Sequence, residues 1–282
     1  MLMKYIKVLR PEQWVKNVFV LLPLLFSGNL GNADAIFRSL IAVASFCTIS
    51  SSTYVINDFF DRHRDRLNPE KMHRPIAAGK IGAVGVVVLA VLLALISFTL
   101  SSLLNREVTY VIISYFVLSQ LYTLWFKHEP FADIIVIAIN FVLRAVAGAF
   151  AIPVRVSPWL IAGVFFLALF IAINKRRGES LFLKSKAAFQ RATLQFYTPE
   201  ILSRLSILAT TALVISYSLF VFFGEHPYLF ITLPVALYVI LRYDALASQG
   251  SSIARHPHSI VKDARLTAGI MLWLMLTLRV LY

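Results

Sequence analysis

With 282 residues, 59% of them hydrophobic and only 15% charged, the chain carries more apolar surface than a soluble globule of its size can hide. A mean hydropathy of +0.77 points the same way, and the composition excludes a disordered, collagenous or coiled-coil chain. Apolar runs of helical length indicate an all-α, polytopic membrane protein and not a β-barrel.

About nine candidate spans follow in chain order, each near the usual 17–25 residues: 15–31, 36–57, 82–104, 107–126, 131–151, 157–174, 201–223, 226–243 and 264–281. The first follows Lys4, Lys7, Arg10 and Lys16 and lacks a small-residue cleavage site, so it is expected to be a retained helix. Cys47 is the single cysteine, which excludes an intramolecular disulfide; in its apolar run it is expected to pack rather than react. Spans three and four meet at Asn105 as a tight helical hairpin.

Charge orients the spans. With the N-terminus in the cytoplasm, the loops at 58–80, 175–200 and 244–263 are cytoplasmic. All Lys and Arg except Arg38, Arg106, Arg155, Arg279 and the intraspan Arg144 then lie on that side. An odd count of spans puts the C-terminus outside a cell (inner or plasma) membrane. The net charge of +13 is thereby read as topology and attraction to anionic membrane lipid, not nucleic-acid binding. Val55-Ile56-Asn57-Asp58 ends span two and Ala172-Ile173-Asn174-Lys175 ends span six. This echo suggests a single domain over 1–282, built as helices 1–4 and 5–8 plus a ninth.

The densest chemistry is Asn57-Asp58-Phe59-Phe60-Asp61-Arg62-His63-Arg64-Asp65. On a helix, Asp58, Asp61 and Asp65 fall within an arc of about 60°, with Asn57 beside Asp61. Three carboxylates on one face repel unless a cation lies between them. Hard oxygen ligands suit Mg²⁺, which takes one or two carboxylates plus substrate phosphates. The alternative is a solvated helix end salt-bridged to Arg62, Arg64 and Arg66. Downstream, Lys71 and Arg74 could hold phosphate oxygens before Pro75 and Gly79 turn the chain back, or could be ordinary positive-inside charge. His63 and His73 have no partners at zinc spacing and stay unassigned.

Asn57-Asp58-x-x-Asp61-x-x-x-Asp65 followed by Lys71-x-x-Arg74-Pro75 resembles the first aspartate-rich motif of the UbiA superfamily of intramembrane prenyltransferases. The resemblance implies about nine helices enclosing a cavity open to the cytoplasmic side. Where most aromatic prenyltransferases of that superfamily carry a second aspartate-rich motif, this chain reads Asn174-Lys175-Arg176-Arg177-Gly178-Glu179. Such a basic loop offers direct contacts to phosphate instead. With Arg10-Pro11-Glu12-Gln13-Trp14-Val15-Lys16-Asn17 and Phe141-Val142-Leu143-Arg144-Ala145, it resembles the decaprenyl-phosphate phosphoribosyltransferase branch.

That resemblance implies transfer of 5-phosphoribose from phosphoribosyl diphosphate (PRPP) to a polyprenyl phosphate, for envelope glycan precursors. Asn57, Asp58, Asp61 and Asp65 would hold Mg²⁺ on the leaving diphosphate, Asp65 directly or through water. Lys16, Arg144, Lys175 and Arg176 would gather phosphates, and Glu179 would orient one of them or meet ribose. Asn17 and Asn140 join the expected substrate-binding set. Arg144 is costly inside a span and needs a partner or cavity. It shares a helical face with Asp133 and Asn140, although Asp133 lies about 16 Å away along the axis. The stripe reads as a cavity wall, or Arg144 reads as a structural bridge between helices. Lys127 is a candidate phosphate contact and His128 uncommitted. Tyr122 is a cavity or interfacial aromatic. Ala145, Ala147, Gly148 and Ala149 permit close helix packing within or between subunits of a homo-oligomer. The rival readings are a prenyl transfer from a polyprenyl diphosphate to an aromatic acceptor, a transporter, and a noncatalytic lipid-binding protein.

Overall fold

A computed structural model describes residues 2–183, 193–224 and 226–282. Among them there is no strand. Helix α1 (Leu2–Leu9) leads into a 3-10 helix (Pro11–Leu21) and the short α2 (Leu22–Phe26). The further helices are α3 (Ala33–Arg66), α4 (Ala83–Ser102), α5 (Arg106–Leu124), α6 (Ala132–Ala151), α7 (Pro158–Leu183), α8 (Thr193–Phe196), α9 (Pro199–Phe223), α10 (Leu233–Ser248), α11 (Ser252–Arg255) and α12 (Ala264–Leu281). Among the described residues, eight helical segments are long and apolar enough to cross a membrane.

The expected first span is the exception. Instead of one helix over 15–31, the segment is divided among a 3-10 helix, α2 and a second 3-10 turn at Asn29–Gly31. Pro23 sits in the first turn of α2, and Gly28 at φ 71° ends it, a conformation glycine adopts without steric cost. Two other helices outrun their expected ends. The acidic motif is helical, as its i, i+3 and i+7 spacing requires, and α3 continues past the span end through Asp65 to Arg66. The basic motif likewise lies on α7, which runs to Leu183 with Glu179 paired to Lys175 and Arg176 one turn back. The remainder of the expected 175–200 loop includes 184–192, which lies outside the described residues.

The chain forms two compact units, one of residues 1–127 and 143–155, the other of 128–142 and 156–282. In the first, α3 packs on α4 through small residues that let backbones approach. Ser97 Oγ donates to the Ser45 carbonyl and Ser52 Oγ to the Ala90 carbonyl, both at 2.8 Å. Phe46, Ile49, Ile112, Tyr115 and Ala147 form its core. The hairpin at Asn105 is as expected: its Oδ1 accepts from the Val108 N–H, capping α5, and its Nδ2 donates to the Phe150 carbonyl. Gly148 sits against the 3-10 helix so closely that a Cβ there would lie 1.9 Å from the Val20 carbonyl oxygen. The small-residue stripe is thus used inside the chain. The second unit packs Phe170, Ile173, Leu202, Leu213, Tyr243 and Leu266 into its core.

Candidate active site

The last two turns of α3 carry Asn57, Asp58, Asp61 and Asp65. Asp58 and Asp65 are buried and Asp61 is half-buried. A carboxylate taken from water needs a partner, and each finds a cation outside its own helix. Arg74 Nη1 lies 2.6 Å from Asp65 and 3.3 Å from Asp58. Arg10 also pairs with Asp58, and Lys127, from the 3-10 turn Phe126–His128, reaches Asp61 at 2.7 Å. Asn57 Oδ1 accepts from Thr123 Oγ1 at 3.3 Å. The helix's own arginines are used differently. Arg62 donates to the Phe59 carbonyl and lies over its ring, and Arg66 donates to the Ala77 carbonyl. The carboxylates therefore form a face served by other segments, not a helix end neutralising itself.

Arg10 is absent from the set that motif spacing singled out. It occupies the left-handed region at φ 52°, uncommon for a residue with a Cβ, immediately before Pro11. That turn swings its guanidinium onto Asp58. Tyr54, one turn before Asp58, gathers two cations: Arg10 lies 5.4 Å and Lys16 5.9 Å from its ring centroid. The i, i+4 relation to Asp58 was the available signal for Tyr54; nothing in the sequence announces the backbone turn at Arg10. Lys71 is half-buried in the turns after α3, and Tyr122 is half-buried in the last turn of α5.

Asn17 and Arg144 form a second buried centre in the same unit. Arg144 Nε donates to Asn17 Oδ1 and its Nη2 to the Tyr115 hydroxyl, both at 2.9 Å, with Tyr115's ring 4.7 Å away. Asn17 Nδ2 in turn donates to Cys47 Sγ. Arg144 thus ties α6 to α5 and the 3-10 helix, the structural-bridge alternative for this residue.

Asp133 belongs to the other unit and has a different partner. Fully buried, it accepts from Arg176 Nε at 3.0 Å and from the Tyr197 hydroxyl at 2.6 Å. Arg176, equally buried, also reaches Glu179 at 3.2 Å. Lys175 stands 4.0 Å from Glu179 and remains partly exposed, while Arg177 pairs with Asp244. Asn174 is buried and accepts from Ser206, whose hydroxyl also meets Asp244. Asn140 is half-buried on α6. The single polar stripe expected from Asp133 to Arg144 is divided: its two ends have separate partners within separate units.

Among the described residues no three His, Cys, Asp or Glu converge as a preformed metal cage. Two carboxylates do converge on one point, the position of Arg74 Nη1. That donor set fits a hard divalent ion that takes two carboxylates and completes its shell with phosphate and water.

The sequence pattern of the UbiA prenyltransferase family matches residues 18–255. A decaprenyl-phosphate phosphoribosyltransferase of Corynebacterium glutamicum is 38% identical over 259 residues, spanning 87% of this chain and 77% of that protein. Its counterpart in Mycolicibacterium smegmatis is 35% identical, spanning 77% and 70%. Among solved structures, a UbiA homolog from Archaeoglobus fulgidus bound to GPP and Mg²⁺ superposes with a TM-score of 0.78 at 20% identity, covering 99% of each chain. At that identity the likeness is one of fold.

Proposed function

The chain belongs to the UbiA prenyltransferase family and is a multi-pass membrane transferase; from that premise we propose that it moves 5-phosphoribose from PRPP to a polyprenyl phosphate, such as decaprenyl phosphate, and releases diphosphate. The observation that carries this reading is the activity for which the relatives are named, at 38% and 35% identity over most of the chain. The end of α7 is consistent with it: the segment after Asn174 is basic, with no second aspartate-rich motif, and its Lys175 is partly exposed. Envelope glycan synthesis is the expected destination of such a lipid-linked phosphoribose.

Asp58 and Asp65, with Asp61 and Asn57 beside them, would hold Mg²⁺ against the diphosphate of PRPP. Mg²⁺ in the Archaeoglobus fulgidus homolog supports a divalent ion in this fold. Bound there, the ion would offset charge on the leaving diphosphate as the anomeric C–O bond breaks. The residues of the chain do the rest. Arg74, Lys127, Lys71 and Lys16 bind phosphate oxygens and fix the donor's orientation. In the second unit, Lys175 is a further phosphate-binding residue, with Glu179 one turn on to orient it. Arg144 and Asn17 hold the 3-10 helix that presents Lys16. Tyr122 in the first unit and Asn140 in the second are the remaining substrate-binding residues of the proposal. A polyprenyl phosphate oxygen attacks the anomeric carbon; the C–O pair of electrons leaves with diphosphate. The nucleophile is already an anion, so no strong general base is required, and orientation and electrostatics supply the rate. We place the acidic end of α3 on the cytoplasmic side, where PRPP is soluble; the N-terminal segment lies on that side through Arg10 at Asp58, and the seven crossing helices after α3 leave the C-terminus outside.

The test offers the full chain in nanodiscs two substrate pairs with Mg²⁺: labelled PRPP with polyprenyl phosphate, and polyprenyl diphosphate with 4-hydroxybenzoate. A lipid-linked phosphoribose is the expected product. A prenylated aromatic in its place would return the protein to the aromatic branch of the family.

A further inference from the structure

We propose that Arg74 and Lys127 are exchange residues: they occupy the acidic face of α3 and surrender it only to a divalent metal that arrives with a diphosphate. The inference rests on the metal-diphosphate reading of that face and goes beyond it by assigning an order to its assembly. Three carboxylates, Asp58, Asp61 and Asp65, are matched by three cations, Arg10, Arg74 and Lys127. A bare divalent ion approaching this group adds charge to a set already neutral, and must displace a cation that gains no new partner. A diphosphate carries more negative charge than one divalent ion cancels. Arriving together, the two give Asp58 and Asp65 a metal in place of Arg74, and give each displaced cation a phosphate oxygen.

The geometry separates the cations that exchange from the one that stays. Arg74 Nη1 stands on the point shared by Asp58 and Asp65, the position that the metal needs. It hangs from the turns after α3 with more than a quarter of its side chain exposed, so it has somewhere to go. Lys127 is a single-point donor on a four-carbon stem, from the 3-10 turn after α5. Arg10 is held by its left-handed backbone, by Pro11 and by the Tyr54 ring, and stays paired with Asp58 throughout. The coupling is reciprocal: metal should tighten diphosphate binding as much as diphosphate tightens metal binding.

The experiment measures Mn²⁺ retained on protein-bearing nanodiscs by rapid filtration, with and without inorganic diphosphate. Wild type is expected to bind Mn²⁺ weakly alone and at least about tenfold more tightly with diphosphate. Arg74→Gln is expected to bind Mn²⁺ alone more tightly than wild type and to lose most of that coupling. Arg74→Lys, which restores the charge, should restore weak binding of metal alone. Lys127→Met should shift the balance in the same direction as Arg74→Gln, and thermal unfolding of each variant checks that it is folded. Equal Mn²⁺ affinity in wild type with and without diphosphate would overturn the exchange while leaving the metal site. Unchanged or weaker Mn²⁺ binding by folded Arg74→Gln would do so too. No Mn²⁺ binding under either condition would remove the exchange and the metal reading together.

Discussion

A carboxylate buried near a helix end is sustained by whatever cation can reach it, and here the reach comes from far along the chain. Asp65→Asn removes one of the two oxygen donors that converge on Arg74 Nη1. It should leave the fold intact and lower phosphoribosyl transfer by roughly a hundredfold or more, the scale on which a lost electrostatic group acts at a reacting centre. Steady-state turnover beside a thermal melt separates the two effects. Arg176 is expected to behave differently, because it is buried against Asp133. Arg176→Met should destabilise by about 3–5 kcal/mol, the cost of a buried charge without its partner; adding Asp133→Asn should recover part of that loss. Spacing made the shared face of Asp58, Asp61 and Asp65 legible, since i, i+3 and i+7 follow from helical geometry alone. It could not show that Arg74 sits between two of them, or that Arg10 bends back to Asp58. Those pairings depend on a turn and on a positive φ, neither of which has a periodic signature.

At the scale of elements, close approach decides what can be changed. A methyl group at Gly148 would overlap the Val20 carbonyl, and backbone cannot step aside as a side-chain tip can. Gly148→Ala should therefore destabilise the first unit by about 1–3 kcal/mol, read as a lowered unfolding midpoint in detergent. At the start of α12, Asp263 caps the helix by accepting from the Leu266 N–H and pairs with Arg242 at 2.7 Å. The Arg242 hydrogen bond, then the Leu266 N–H, hold its carboxyl below the ordinary carboxylate range. A depressed folded value means that its stabilising contribution is complete above the unfolded value and disappears as pH falls through the folded one. Asp263→Asn should accordingly lower the melting temperature at neutral pH, with the difference from wild type shrinking in acid. Apolar length made seven of the expected spans legible from the second onward, together with the last. The segment at 15–31 was not, because a continuous apolar run reports length and not helix type, and Pro23 and Gly28 divide it. The continuation of α7 was hidden by its charge: Lys175, Arg176 and Glu179 look like a loop in composition but pair as neighbours on a helix.

For the whole molecule, the positive-inside bias makes a directional claim. Glycosylation or thiol-labelling sites added after Tyr282 should react from outside the cell, and those placed at the turns near Met72 only after permeabilisation. The central claim is that the acidic face of α3 carries phosphoribosyl transfer to a lipid phosphate. It is tested most directly with the full chain in nanodiscs, labelled PRPP and polyprenyl phosphate, counting label in the lipid phase for wild type and Asp58→Asn with Mg²⁺ and with a chelator. Lipid-linked label is expected from wild type with Mg²⁺, almost none with chelator, and almost none from a folded Asp58→Asn. Equal transfer by Asp58→Asn, or transfer indifferent to the chelator, would contradict it.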